Sequence, residues 1–198
     1  MFPIFTVSCL DDKLLIGGGG GSTKAGVNNT LKLYNTDFEI STTFKQDAVM
    51  AATFHPFDKI VLGAVGSLVK IYKVGSDFEF LKEISVPIPN EYEFVKKLVF
   101  SADGHHLIVL VSDGSWLLYE YPSLRKVHDF PGKIENFDAS FVNDSRNILI
   151  ATSGISFHNH IIDDVTIYNS EKNYDKSWQI TNANLSYLSE KCDFRGAR

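Results

Sequence analysis

Apolar residues occur in short runs, and each run is closed by a cluster of Gly, Asp, Asn or Ser. Phe5 to Cys9, Leu14 to Gly17 and Thr30 to Tyr34 read as strands near the start, and Ile60 to Ala64 and Leu68 to Val74 as a pair further on. Leu107 to Val111 and Trp116 to Tyr121 form a second such pair, and Asn147 to Thr152 and Asp164 to Tyr168 a third. The small turns Val65-Gly66-Ser67 and Ser112-Asp113-Gly114-Ser115 join two of the pairs as hairpins, because Gly supplies the positive φ that a tight turn requires. Outer strands are predicted over Leu81 to Val86 and Arg125 to Phe130, with a weak last one around Trp178 to Ile180.

One pattern recurs in front of these pairs. Ala52-Thr53-Phe54-His55-Pro56-Phe57-Asp58-Lys59 is matched by Leu98-Val99-Phe100-Ser101-Ala102-Asp103-Gly104-His105 and by Ala139-Ser140-Phe141-Val142-Asn143-Asp144-Ser145-Arg146. The Phe anchors are 46 and 41 residues apart. A period of about 40 to 45 residues is that of propeller blades, four-stranded sheets that bury their faces only against neighbours. The expectation is an all-β WD-repeat β-propeller with about four blades, approximately 1–45, 46–90, 91–132 and 133–185, and the start of a fifth over 186–198. The chain therefore reads as one part of a larger propeller, with a closed ring of four as the alternative.

Composition supports a folded, strand-rich protein: 44% hydrophobic and 13% aromatic residues, with 15 Phe and 8 Tyr. The net charge of −5, with no cluster of Lys and Arg, argues against a nucleic-acid partner. Two cysteines, Cys9 and Cys192, match neither a disulfide framework nor a metal spacing. There is neither a signal-peptide pattern nor a run of about 18 apolar residues, so the chain as given reads as soluble and cytosolic.

Gly17-Gly18-Gly19-Gly20-Gly21-Ser22-Thr23-Lys24-Ala25-Gly26-Val27-Asn28-Asn29-Thr30 interrupts the first unit where the others have a short turn. It is not a P-loop, since Ser-Thr-Lys follows the glycines and a strand comes next, and no start within it satisfies the dinucleotide spacing. A flexible linker is the bland reading. The second half argues for more, because Val27 between Gly26 and Asn28-Asn29 has the character of a binding tip, and glycine carbonyls can surround a monovalent cation.

Leu14-Leu15-Ile16-Gly17-Gly18-Gly19-Gly20, followed by Gly26-Val27-Asn28-Asn29-Thr30-Leu31, resembles the first-blade signature of the endoplasmic-reticulum WD-repeat exchange factors, the prolactin regulatory element-binding protein family. Cys192-Asp193-Phe194-Arg195-Gly196-Ala197-Arg198 is similar to the start of a later blade there. The resemblance implies a seven-bladed propeller on the cytosolic face of the endoplasmic reticulum membrane. It implies a guanine-nucleotide exchange factor for the small GTPase that initiates COPII coat assembly, with no covalent chemistry. On this reading Gly17, Gly18, Gly19, Gly20, Gly21 and Gly26 frame a potassium ion, and Val27, Asn28 and Asn29 meet the GTPase. The family's membrane anchor is absent from this chain, which reads as part of a longer product or as a degenerate relative. A WD-repeat scaffold that binds proteins without promoting exchange is the alternative function.

His105-His106 and His158-Asn159-His160, the latter followed by Asp163-Asp164, lack the supporting ligands of a metal site and read as solvated turns. Asp58, Asp103 and Asp144 after the repeated Phe are expected to shape turns. No catalytic triad can be argued from spacing.

Overall fold

The computed structural model describes residues 1–22, 26–45, 47–132, 136–142, 147–155, 161–170 and 175–180. Asp144, His158, His160, Cys192 and the strand expected within 186–198 lie outside the described residues.

The fold is all-β and consists of four-stranded antiparallel sheets, each a meander in chain order. The first contains β1 (Ile4–Leu10), β2 (Lys13–Gly18), β3 (Asn29–Tyr34) and β4 (Glu39–Phe44), and the second β5 (Val49–Phe54), β6 (Ile60–Val65), β7 (Leu68–Val74) and β8 (Phe78–Ser85). The third contains β9 (Val95–Phe100), β10 (His106–Val111), β11 (Trp116–Glu120) and β12 (Arg125–Phe130). The fourth contains β13 (Asn136–Val142), β14 (Asn147–Ile155), β15 (Ile161–Asn169) and β16 (Asp175–Ile180). Repeated four-stranded meanders are compatible with a propeller-like fold. Among the described residues no helix is long and apolar enough to cross a membrane. The chain divides into two compact units, 1–100 and 101–198.

In the first unit, β5 packs across β1 and β2. Leu15, Leu31, Leu33 and Phe44 of the first sheet meet Val49, Phe54, Val61 and Tyr72 of the second in one buried cluster. Strand alternation explains the choice of residues: Leu31 and Leu33 sit two apart on β3 and share a face. β6 is buried at all six positions, as a strand covered on both faces should be. Several strands depart from the sequence reading: β14 runs on to Ile155 past the expected Thr152, β15 starts at Ile161 before the expected Asp164, and β16 starts at Asp175 before the expected Trp178. β8 begins at Phe78, three residues before the expected Leu81, because the Phe78 ring packs edge-on to Tyr72 at 5.7 Å. β4 was not anticipated, since Ser41, Thr42 and Thr43 give it little apolar signal, yet it pairs with β3 along its whole length.

The repeated Phe closes β5 and β9 and sits one residue from the end of β13. After Phe54 the buried His55 organises the turn: its Nδ1 accepts the backbone N–H of Phe57 at 3.3 Å and of Asp58 at 2.9 Å. After Phe100 the same place is held by Ser101, whose hydroxyl donates to Asp103 at 2.6 Å and accepts the N–H of His106. Different side chains thus satisfy the same turn. In the second unit Trp116 is buried and stacks on Phe130, ring centres 3.8 Å apart and nearly parallel, with Tyr168 edge-on to Trp116 at 5.1 Å. Such ring pairs add about 0.5–1.5 kcal/mol each to simple burial.

Candidate functional site

The connection from β2 to β3 covers residues 19–28, ten residues, where β6 and β7 are joined by two and β10 and β11 by four. The glycine run does not all belong to this connection. Gly17 and Gly18 are the last residues of β2: Gly17 pairs with Thr6 and Leu31, and Gly18 with Ile4 and Thr30. Both are buried, and their need for glycine is steric. A Cβ on Gly17 would lie 2.6 Å from Thr6 Cγ2 and 2.7 Å from Val49 Cγ1, where β5 comes down on the first sheet. A Cβ on Gly18 would overlap the Pro3 carbonyl oxygen.

Gly19 is where the chain leaves the ladder. Its φ of +140° is one that L side chains rarely adopt, its N–H donates to the Pro3 carbonyl at 3.0 Å, and a Cβ there would run into Asn29. Gly21 is held by the same asparagine: its N–H donates to Asn29 Oδ1 at 2.9 Å, and its carbonyl accepts from Asn29 Nδ2 at 3.1 Å. Asn29 is 6% exposed. A side-chain amide presents one donor and one acceptor in the arrangement of a peptide group, so it can pair with a single residue as a neighbouring strand would. The loop therefore springs from a fixed base.

Past the base, Gly26 is exposed with φ +72°, Val27 is half-buried and Asn28 exposed. The Asn28 carbonyl accepts from the Thr30 hydroxyl at 3.2 Å, which ties the end of the loop to the first turn of β3. Thr23, Lys24 and Ala25 lie outside the described residues. The three expected contact residues thus differ in placement: Asn28 and Val27 present surface, whereas the Asn29 side chain faces inward on Gly21. A signal for this was available in the sequence, because Asn29, Leu31 and Leu33 are two apart and so lie on the core face together.

The cation expected from the resemblance would depend on backbone carbonyls. Gly17 and Gly18 are engaged in strand pairing and the Gly21 carbonyl already receives the Asn29 amide, so three of the six glycines expected to frame the ion already have roles in the fold. Among the described residues no group of three or more His, Cys, Asp or Glu could hold a metal ion. His105 and His106 flank a turn, and Asp103 beside them accepts from Ser101 and from the His105 N–H at 3.0 Å. Partial burial works to raise the Asp103 carboxyl, but the Ser101 hydroxyl and the His105 N–H outweigh it and hold the group below the usual carboxylate range. Asp58 serves its turn through its backbone N–H, with its carboxylate 3.5 Å from His55 Nδ1. Cys9 is an exposed free thiol.

No protein-family description matches this chain. No curated protein is significantly similar to it.

Proposed function

We propose that this chain is part of a WD-repeat β-propeller that acts by binding, as a guanine-nucleotide exchange factor for the small GTPase initiating COPII coat assembly at the cytosolic face of the endoplasmic reticulum. The observation that carries the reading is the ten-residue β2–β3 connection standing on a base fixed by Asn29 and Gly19, where the second and third sheets have two and four residues. An extended loop on a rigid base suits recognition, because less ordering remains to be done on binding.

Exchange needs no bond making. A protein that binds the nucleotide-free GTPase more tightly than the loaded one must weaken nucleotide binding by the same factor. In this reading Val27 enters an apolar recess of the GTPase and Asn28 hydrogen-bonds near its nucleotide site, while Asn29 is a positioning residue that fixes the direction of the loop. A potassium ion, when bound, would supply the charge that gathers loop carbonyls, those of Gly19 and Gly26 lying outside both the strand pairing and the Asn29 clamp. A scaffold function without exchange is the second reading. It is favoured by the packing roles of Gly17, Gly18 and Gly19, which account for part of the glycine run with no ligand.

The test is release of labelled GDP from that GTPase in potassium buffer. The chain should accelerate release, and the Val27→Ala/Asn28→Ala double variant should lose at least about tenfold of the acceleration, equivalent to about 1.4 kcal/mol, with its thermal unfolding unchanged. No acceleration by the folded chain, or full acceleration by the double variant, refutes the loop as the exchange element. If sodium or lithium supports the same activity and stability as potassium, the cation has no part in it.

A further inference from the structure

The strand registers of the four sheets allow their faces to be compared position by position. Val61 stands opposite Tyr72 on β6 and β7, Leu107 opposite Tyr119 on β10 and β11, and Ile148 opposite Tyr168 on β14 and β15. In the first sheet the same place is taken by Leu14 and Tyr34. Directly opposed residues share a face, so each pair marks the tyrosine-bearing face of its sheet. The pairs one step along, Leu15 with Leu33, Leu62 with Ile71, Ile108 with Leu118 and Leu149 with Ile167, mark the other, leucine face.

Inside each unit the two kinds of face meet. Val61 and Tyr72 of the second sheet share one buried cluster with Leu15, Leu31 and Leu33 of the first. In the second unit the Tyr168 ring of the fourth sheet packs edge-on to Trp116, which lies on the Leu118 side of the third. One interface, tyrosine face on leucine face, is thus made twice.

Two faces depart from this pattern of burial. On the first sheet Leu14 and Tyr34 are half-buried, where Val61, Tyr72, Leu107 and Tyr119 are buried. Val7, opposite Ile16 on the same face, is 57% exposed, and Cys9, opposite Leu14, is exposed too, although their counterparts Ala52 and Phe54 are buried. On the fourth sheet Leu149 and Ile167 are half-buried, where their counterparts in the other three sheets are fully buried. Apolar sheet surface of this kind marks an interaction site.

The charges on these faces do not oppose contact. Lys32 and Glu39 on the first sheet neutralise each other at 2.9 Å. Lys70, the counterpart of Lys32, already lies within the first-to-second-sheet interface, its ammonium 5.5 Å from the centre of the Phe44 ring. Asp138, on the Leu149 side of the fourth sheet, is itself buried and accepts the Ala139 N–H at 2.8 Å. One exposed face is of the tyrosine kind and the other of the leucine kind, so a second copy supplies the complement to each. We propose that the tyrosine-bearing face of the first sheet docks on the leucine face of the fourth sheet of a second copy of this chain. The contact joins two different surfaces, head to tail, and the inference is independent of nucleotide exchange.

The test is sedimentation velocity of the full chain across a concentration series. Association that grows with concentration is expected. Val7→Glu on one face and Leu149→Glu on the other should each weaken it at least about tenfold, about 1.4 kcal/mol, by placing a carboxylate in an apolar contact. An equimolar mixture of the two variants should associate again, because one keeps an intact fourth sheet and the other an intact first. Maleimide labelling at Cys9, located by mass spectrometry, should slow as the parent associates and stay fast in Val7→Glu. Val7 is exposed, so its substitution keeps the fold; circular dichroism checks Leu149→Glu, and should that variant unfold, Val7→Glu and the Cys9 labelling decide. A parent that stays monomeric throughout overturns the proposal and leaves the face to another occupant. So does association that Val7→Glu leaves unchanged, or a mixture of the two folded variants that remains monomeric.

Discussion

The β2–β3 and β6–β7 connections join equivalent strands of neighbouring sheets, and both need glycine, but for different physical reasons. Between β6 and β7 stand only Gly66 and Ser67; Gly66 has φ +57°, and a Cβ on it would meet nothing within 4 Å. Glycine is there for its backbone dihedral. At the end of β2, Gly17 and Gly18 have no positive φ, and what excludes a side chain is the closeness of Thr6, Val49 and the Pro3 carbonyl. Gly19 combines both reasons. Composition alone cannot separate glycine used as space from glycine used as conformation. Strand register can, because it shows which glycines are still inside the sheet.

The comparison breaks most visibly at Gly18. In Gly18→Val the new side chain would be driven into the Pro3 carbonyl, which is backbone and cannot turn away as a side-chain tip would. A loss of about 2–3 kcal/mol is expected, the upper part of the roughly 1–3 kcal/mol range for overpacking a tight interior, and for a chain of this length that lowers the unfolding midpoint by roughly 4–12 °C. The measurement is thermal unfolding beside Gly66→Ala. An unchanged midpoint in Gly18→Val would show that the N-terminal residues move aside readily and that the end of β2 is not sterically fixed.

Asn29→Ala acts on the same region through hydrogen bonds. It leaves the Gly21 N–H and carbonyl without the partner they have in the fold, at a cost of about 1–3 kcal/mol. Asn29→Asp keeps an acceptor for the N–H but offers no donor to the carbonyl, so it should fall between the parent and the alanine variant. Amide hydrogen exchange at Gly21 reads this directly, and the order parent, Asp, Ala in protection is expected. Equal protection in all three would mean that Asn29 does not hold the loop base.

Much of this was legible from the chain. The recurring Phe at 46 and 41 residues, with apolar strand pairs behind it, gave the all-β character and the succession of small sheets. The hairpin turns at Gly66 and Gly114 were visible because the positive φ there leaves a residue-type signature. β4 gave little signal for the opposite reason, since Ser41 and Thr43 are exposed and its hydrophobic contribution rests on Ile40 and on Phe44 at its end, beside the pairing with β3. In the loop, the sequence marked the segment as unusual but not the division of labour within it. Asn28 and Asn29 are the same residue type side by side, and only alternation along β3 turns one outward and the other into the clamp.

Gly66 gives the smallest effect and the cleanest contrast. Gly66→Ala should cost about 1 kcal/mol, because an L side chain is strained at φ +57° although the space around it is open. The Gly66 carbonyl accepts the N–H of Val95 at 2.9 Å, so the turn cannot relax by rotating its peptide without losing that bond. Gly66→Asn should cost less than the alanine change, since asparagine visits the left-handed region more easily despite being larger. At Gly18 that order must fail, because a steric site is hurt more by the larger residue. Thermal unfolding of the four variants, Ala and Asn at each position, therefore tests both assignments together. If Asn were the worse residue at both positions, Gly66 would also be glycine for want of room, and the distinction between the two connections would fall.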